Sequence, residues 1–328
     1  MVVALAWKFA PQRSTSMVSP RRTAALLCLA AAAALAPIAA PAAPTRPVAK
    51  VLERGEKYAV LYKPGGVPCH ASDYVGRSGL DEYPLLQRGR DALGRRINLV
   101  HRLDRGASGC VLCAYGDDDD PVTGALHAAL ADARKTYVAL TRGEGYLGGR
   151  DFKAEGWFTV ERAIKNERGN AKNATTDFRW VASTGAADGA RASLVVARPR
   201  TGRWHQIRRH LNGLSHPILG DSSHGNTREN RLWRTERGFP GARLALHLCR
   251  LEVPATAYTP AVDVSCPLPA DLRWQVQTHM GGVLAESRAF LAAEAKIDLA
   301  VDAAFTSAPP EPEEPPPAMR PKKPRRRA

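Results

Sequence analysis

Apolar residues that alternate with polar ones, or run without a break, recur between residues 57 and 254 and predict strands. The segments are KYAVLYK, INLV, GCVLCAY, KTYVALTRG, GWFTVERAI, TTDFRWVAS, ASLVVARPR and ARLALHLCRLEVP. Most are bounded by Gly, Pro or Asp, which interrupt regular structure. Gly-rich connections favour antiparallel pairing, most clearly for TTDFRWVAS with ASLVVARPR.

Helical spacing of apolar residues is confined to a few segments, which are residues 121–134, 201–214, 271–280 and 286–305. In a helix over 201–214, Trp204 would share a face with Arg208, and His205 with Arg209. Residues 74–96 are rich in Gly and Arg and predict a loop. Strands and helices mix without strict βαβ alternation. The pattern therefore predicts an α+β domain with a mixed, mostly antiparallel central sheet and flanking helices.

The two ends of the chain differ from its middle. Residues 1–46 join a basic, acid-free start to an Ala-rich apolar run, as in signal and organelle-targeting segments. A membrane anchor is the alternative, but Pro37 cuts the run short of the ~20 residues that a span needs. We predict a targeting segment over 1–46, a folded domain over 47–275 and a helical extension over 276–306. A disordered, Pro-rich basic tail is predicted over 307–328.

The charge of the chain favours an anionic partner. The formal net charge is +15 and the sequence pI is about 9.9. Residues 1–46 contribute +5 and residues 307–328 contribute +3, so the middle of the chain keeps +7. Because the body is basic without its tails, we expect it to bind nucleic acid.

Six scattered cysteines do not form a disulfide framework in a chain of this length. Cys110 and Cys113 have the spacing of a redox or zinc pair. They lie in a strand-like run, however, where residues three apart point to opposite faces. No second pair completes a metal site, so we interpret them as small buried thiols.

The stretch LVHRLDRGASGCVLCA, residues 99–114, places one carboxylate, Asp104, among His101, Arg102 and Arg105. It predicts a loop between two strands, where functional groups are usually presented. Neighbouring bases favour the ionised carboxylate. Since phosphates repel a carboxylate, an acid in a basic face suits chemistry on a base or sugar. A structural ion pair with Arg102 or Arg105 is the alternative.

A second basic stretch, RTGRWHQIRRHLNGLSHPILGDSSHG, spans residues 200–225 and holds four arginines and four histidines. Guanidinium groups bind carboxylates and phosphates in bidentate fashion. One arginine could therefore hold Asp104 while others bind phosphates. The histidines form no dense ligand pattern, so we expect no metal. A solvated basic helix is the alternative interpretation.

Four segments in order resemble the RluA-type pseudouridine synthases. HRLDRGASG is similar to their HRLDxxTSG signature, and YKPGGVPCH to their KPxG segment. KTYVALTRG is similar to their Tyr-bearing strand, and residues 201–225 to TGRxHQ(I/L)RxHxxxxxHPIxGDxxYG. The resemblance runs from about Val48 to about Pro267. QIRRHL, SHG and GNTRENRLW are most similar to the branch of tRNA pseudouridine synthase C.

The resemblance implies the pseudouridine synthase fold with a basic RNA-binding cleft. It assigns catalysis to Asp104, with Tyr137 packing on the target base and Arg208 pairing with the aspartate. The RNA-binding residues it implies, with those the basic stretches suggest, are Lys63, His101, Arg102, Arg105, Arg203, His205, Gln206 and Arg209. Two departures, Ala107 for Thr and His224 for Tyr, spare the catalytic set but affect the expected geometry of the loop.

The implied reaction isomerises uridine to pseudouridine in structured RNA, tRNA first and rRNA second. It needs no cofactor and no metal. Base flipping would bring the uridine to Asp104, which acts as nucleophile or base. The alternatives are a non-catalytic RNA-binding protein with the same fold, a structural basic protein and a nucleoside hydrolase. We expect a monomer without stable membrane association, in a plastid or mitochondrion, or otherwise in the cytoplasm or nucleus.

Overall fold

The computed structural model describes residues 48–71, 83–117, 119–166, 168–185 and 190–297. The chain divides into a unit of residues 1–45 and a unit of residues 46–328, and all described residues belong to the second. The predicted targeting segment and Pro-rich tail lie outside the described residues and stay predictions. In the part that the structure describes, no helix combines the length and apolarity that crossing a bilayer requires.

Fourteen strands are described, and ten of them form one sheet in the order β1-β2-β4-β13-β5-β12-β11-β8, with β3 on β4 and β14 on β13. Their bounds are β1 Val51–Arg54, β2 Tyr58–Lys63, β3 Ile97–Leu99, β4 Ser108–Tyr115, β5 Arg134–Arg142, β6 Tyr146–Leu147, β7 Arg150–Asp151, β8 Trp157–Glu161, β9 Ile164–Lys165, β10 Ala171–Lys172, β11 Thr175–Ser183, β12 Ala192–Pro199, β13 Leu246–Val253 and β14 Val262–Ser265. The pairs β6–β7 and β9–β10 are separate hairpins.

Six helices are described, and they are α1 Leu85–Leu93, α2 Pro121–Ala129, α3 Gln206–Gly213, α4 Thr227–Arg237, α5 Ala270–His279 and α6 Gly281–Ala295. Asp120 caps α2 by accepting a hydrogen bond from the backbone N–H of Val122. Asn226 caps α4 in the same way. The α+β fold with a mixed, mostly antiparallel sheet is therefore confirmed.

Strand β13 lies at the centre of the sheet, between β4, which follows the Asp104 loop, and β5, which carries Tyr137. It pairs in parallel with the start of β4, where His247 faces Ser108. On its other side it pairs antiparallel with β5, where Leu248 faces Tyr137. The loop that carries Asp104 ends where β4 begins, so one strand separates this loop from Tyr137.

Several sequence expectations need correction. The helix predicted over 201–214 begins only at Gln206, because His205 has left-handed backbone angles (φ 53°). Trp204 and His205 therefore precede the helix, and the predicted shared faces with Arg208 and Arg209 are wrong. The helix predicted to run to Arg134 ends at Ala129. Part of the predicted loop 74–96 is helix α1, because Leu85, Leu86 and Leu93 pack against the core.

The described cysteines are all buried and free of disulfides: Cys69, Cys110, Cys113, Cys249 and Cys266. The interpretation of Cys110 and Cys113 as buried thiols agrees with this. A hydrogen bond with Cys266, together with burial, raises the pKa of the Cys110 thiol, and burial on the inner strand β4 raises the pKa of the Cys113 thiol. They add apolar volume to a core that surrounds the central strands.

Candidate active site

Asp104 occupies the first position of a tight turn between β3 and β4. Its backbone carbonyl accepts a hydrogen bond from the N–H of Ala107 at 3.0 Å. Asp is favoured at this position of turns. Ala107 is buried, so the residue that departs from the family pattern packs inward beneath the turn. The side chain of Asp104 is 30% exposed and lines a cavity.

Two buried basic side chains, Lys63 and Arg243, hold the turn in place. Lys63 Nζ donates to the Arg105 carbonyl at 2.9 Å, and also to the carbonyls of Pro64 and Val67. Arg243 donates to the Gly106 carbonyl and to Ser108 Oγ, each at 2.7 Å. Because these partners are fixed, the turn is held in one position.

Close packing at the turn explains one of its glycines. A Cβ on Gly106 would lie 2.9 Å from Leu244 Cβ and 3.0 Å from its backbone nitrogen. Real Cβ atoms do not approach other atoms so closely in well-packed interiors. Gly106, the first glycine of the RGASG segment, therefore lets the turn lie against the residues that lead into β13.

Arg208 connects Asp104 to a second, buried carboxylate. Its Nη1 donates to Asp104 Oδ2 at 2.9 Å, while Nε and Nη2 donate to Asp221 at 2.8 and 2.7 Å. Burial alone would raise the pKa of Asp221, but hydrogen bonds from Arg208 and from the N–H groups of His224 and Ser223 lower it. The bidentate pair fixes the plane of the guanidinium and directs its remaining nitrogen at Asp104.

Tyr137 lies on β5 and lines the same cavity as Asp104. Burial, together with the negative charge of Asp104, raises the pKa of its phenol above 10.0. The side chain is therefore a neutral phenol at physiological pH. It presents both a flat apolar ring and a hydroxyl to whatever enters the cavity.

Three aromatic rings form a cluster beside Asp104. His205 Nε2 lies 3.7 Å from Asp104 Oδ1, and His205 Nδ1 lies 2.9 Å from Nε2 of His224. The His205 ring stacks on Trp204 with 3.9 Å between centroids. Burial is the main reason why the pKa of His205 is lowered to about 4; the negative charge of Asp104 opposes this shift and the positive charge of Arg208 adds to it. His205 is therefore neutral at physiological pH.

These side chains line a cavity of about 1330 Å³. Six arginines or lysines and two aspartates contribute to its wall, and they are Arg102, Arg105, Lys135, Arg203, Arg208, Arg243, Asp104 and Asp221. A concave wall with this excess of positive charge attracts polyanions. The predicted basic cleft is thus present around Asp104.

Most of the predicted RNA-binding residues line this cavity. Arg102, Arg105 and Arg203 are exposed in its wall. Arg209 lies on the partly exposed side of α3, where it donates to the Lys165 carbonyl. His101 lines the cavity too, but its Nε2 accepts a hydrogen bond from the backbone N–H of Leu112 at 3.1 Å.

Two predicted RNA-binding residues are buried, and these assignments need correction. Lys63 has no exposed surface and uses its ammonium on three backbone carbonyls. Gln206 is 5% exposed. Its side-chain Nε2 donates hydrogen bonds to Thr175 and Thr176, and its Oε1 accepts hydrogen bonds from Thr201 and from the backbone N–H of Arg203. Both side chains support the site from inside, because polar groups in buried positions must satisfy their hydrogen bonds internally.

Sequence reasoning did not single out Asp221 or Arg243. Asp221 stands in the quoted GDSSHG segment, so the motif itself was a signal for a functional carboxylate. Arg243 had no comparable signal, since an arginine before a strand is commonplace. Its ion pair with Asp271 at 2.7 Å joins residues far apart in sequence. Among the described residues, no three His, Cys, Asp or Glu side chains converge as metal ligands would.

Comparison with known proteins now adds to this geometry. A sequence model of the family described as RNA pseudouridylate synthase matches residues 57–213. The tRNA pseudouridine synthase C of Vibrio parahaemolyticus is 33% identical over 217 residues, which cover 62% of this chain and 83% of that protein. The chain belongs to the RNA pseudouridylate synthase family. The resemblance seen in the sequence motifs is confirmed.

Other family members agree with this. The tRNA pseudouridine synthase C of Yersinia pestis is 32% identical over 216 residues, covering 62% of this chain and 80% of that protein. The structure of human RNA pseudouridylate synthase domain containing 4 matches with a TM-score of 0.52 and 21% identity, over 69% of this chain and 91% of that one. Human RNA pseudouridylate synthase domain containing 1 matches with a TM-score of 0.50 and 24% identity, over 68% and 84%. The human structures support the fold. The protein is an RNA pseudouridine synthase, an isomerase that acts on RNA.

Proposed function

We propose that this pseudouridine synthase isomerises a uridine in structured tRNA, with Asp104 as the group that acts on the flipped nucleoside. The observation that carries the proposal is the hydrogen-bonded ion pair between Asp104 and Arg208, both of which line the positively charged cavity. One partly exposed carboxylate is held there by an arginine that a second, buried carboxylate fixes in place. The names of the relatives support tRNA as the substrate.

The reaction rearranges bonds without changing the atoms of the nucleoside. The N1–C1′ bond breaks, the uracil turns, and a C5–C1′ bond forms. The proton on C5 leaves to solvent, and N1 takes up a proton. Because nothing is oxidised and no group is transferred, side chains suffice for the chemistry.

Each side chain has a role that follows from its geometry. Asp104, held beside Arg208, acts at the sugar either as a nucleophile at C1′ or as a base. Tyr137 stacks on the uracil, and its neutral hydroxyl serves in proton transfer. A base stacked within a helix does not expose its sugar and ring to a protein side chain, so the uridine enters the cavity after flipping out of its stack. Arg102, Arg105 and Arg203 bind the surrounding phosphates.

The test uses the full chain and two RNA pools, tRNA and rRNA, labelled with tritium at uracil C5. We expect the wild type to release tritium from tRNA. The Asp104→Asn variant should release it at least ~10³-fold more slowly, while its affinity for RNA stays within about threefold of that of the wild type. Asp263→Asn is the matched control, since that carboxylate pairs with Arg250 and Lys296 on an exposed face. Equal release by Asp104→Asn contradicts the role of Asp104. Release confined to rRNA contradicts the substrate.

A further inference from the structure

Trp204 is an exposed aromatic residue with no role in the chemistry described so far. It is 50% exposed, in the same range as Tyr146, Trp157 and Tyr258. Of these four, Trp204 lines the cavity around Asp104. Leaving half of an indole in water forgoes burial that would stabilise the fold, so this position favours a binding role.

The indole of Trp204 is held rigidly from one side. The His205 ring stacks on it with 23° between the planes, and the edge of His224 approaches it at 6.0 Å between centroids. The hydrogen bond between the two histidines locks both rings. The left-handed backbone of His205 turns the chain here, so Trp204 lies outside helix α3 and projects into the cavity.

The location of Trp204 relates it to the reacting nucleotide. His205 contacts both the Asp104 carboxylate and the Trp204 ring, so a single imidazole separates the indole from the carboxylate. The guanidinium carbon of Arg209 lies 5.9 Å from the centre of the indole. Arg203, the preceding residue, is exposed in the cavity wall. A flat apolar surface between cations suits a nucleobase with its phosphates.

We propose that Trp204 stacks on an unpaired base adjacent to the uridine that enters the Asp104 site. The inference deepens the proposed function and rests on it. When a uridine leaves its stack, its neighbour loses a stacking partner. Trp204 supplies a replacement surface about one nucleotide away from Asp104. The contact is with the face of the base, so it favours an unpaired neighbour without demanding one sequence.

The experiment measures binding to two oligomers with equal numbers of phosphates, a uridine dodecamer (U12) and an abasic dodecamer. We expect Trp204→Ala to weaken U12 binding by about 5- to 150-fold, the range for one base–aromatic stack, and to leave abasic binding unchanged. Trp204→Phe, which keeps an aromatic face, should retain U12 affinity within about fivefold. Tyr146→Ala is the matched control, because Tyr146 is exposed outside the cavity.

A second measurement does not depend on the folding of a variant. Wild-type protein is irradiated with a U12 oligomer that carries one 5-iodouridine, and the adduct is mapped by mass spectrometry. A cross-link at Trp204 supports the stack. Cross-links confined to other residues, equal U12 affinities for wild type and Trp204→Ala, or equal losses on both oligomers would overturn it. A loss on both oligomers would point to a general electrostatic or folding effect.

These assays read binding without turnover. Tritium release by the wild type is measured in parallel on the labelled tRNA. If the wild type releases tritium but Trp204→Ala binds U12 as tightly as the wild type does, the stacking inference alone is contradicted. An enzyme that stacks U12 on Trp204 but releases no tritium contradicts the proposed function instead.

Discussion

Arg208 lies between Asp104 and Asp221 and donates to both, with N–O distances of 2.9 Å to the first and 2.7 and 2.8 Å to the second. Asp221 is 1% exposed, so its charge is compensated inside the protein. The bidentate contact determines how the guanidinium is oriented. The position of Asp104 thus depends on a second carboxylate that is itself buried.

Asp221→Asn removes one charge from this arrangement and loosens Arg208. We expect kcat to fall by about 10²-fold with KM within about threefold, because a misplaced catalytic group costs rate more than binding. Stability falls as well, by ~3–5 kcal/mol as for other broken buried pairs, so rates are measured well below the melting temperature. The control Asp263→Asn should change neither kcat nor KM. A tenfold rise in KM at constant kcat would contradict the positioning role of Asp221.

Tyr137→Phe separates the ring of this residue from its hydroxyl. The raised pKa keeps the phenol protonated at physiological pH, so the hydroxyl is available as a proton donor. We expect Phe to preserve KM and to lower kcat by about 10²- to 10⁴-fold. Tyr137→Leu should in addition raise KM, since the stacking surface is lost. Full activity of the Phe variant would leave the hydroxyl without a role.

His101 predicts a pH dependence of stability. Burial, with the charge of Lys135, lowers its pKa to about 3, and its Nε2 accepts a hydrogen bond that protonation would break. Between pH 6.5 and 3 the unfolded chain binds more protons than the folded one. Stability therefore falls as pH falls through this range, by up to ~1.4 kcal/mol per pH unit for one proton.

His101→Gln keeps an acceptor but does not titrate. Urea unfolding between pH 6.5 and 4 should show a shallower loss of stability for this variant than for the wild type. Above pH 6.5 the difference in stability between the two should be constant. Parallel curves over the acidic range would mean that His101 has the same pKa in both states.

Arg203 predicts the salt dependence of RNA binding. Each phosphate contact releases counterions, so its loss lowers the slope of log K against log salt by about one. Arg203→Gln should show this reduction on tRNA, with affinity lost most at low salt. Arg228→Gln is the control, because Arg228 is exposed on α4 outside the cavity. Equal slopes for the wild type and Arg203→Gln would exclude a phosphate contact.

The sequence predicted eight of the fourteen described strands, because each of these segments carries a continuous apolar run or an alternating pattern, as in GCVLCAY and KTYVALTRG. It also predicted that an arginine would meet Asp104, since the quoted motifs contained both residues. The hairpin pairing of β11 with β12 followed from short spacing along the chain. These features depend on local pattern or on a motif.

Other features depend on contacts between distant residues, which no local pattern encodes. The burial of Lys63 follows from the Arg105 carbonyl, 42 residues further along. A lysine in a basic chain is ordinarily exposed, which is why an RNA contact was predicted for Lys63. Its complete burial makes that prediction wrong. The start of α3 at Gln206 follows from the His205–His224 hydrogen bond and the contacts of Gln206 with β11. A helical pattern alone extends through Trp204.

The central position of β13 has a consequence for the order in which the molecule matures. A nascent chain that has emerged as far as Tyr137 already contains Asp104 but lacks the strand that separates them. Ser108 and its partner His247 are 139 residues apart, and such long loops close late and at entropic cost. Synthesis must pass Val253 before β4 and β5 acquire their common neighbour. The positions of Asp104 and Tyr137 relative to each other are therefore fixed only once residues 246–253 have been made.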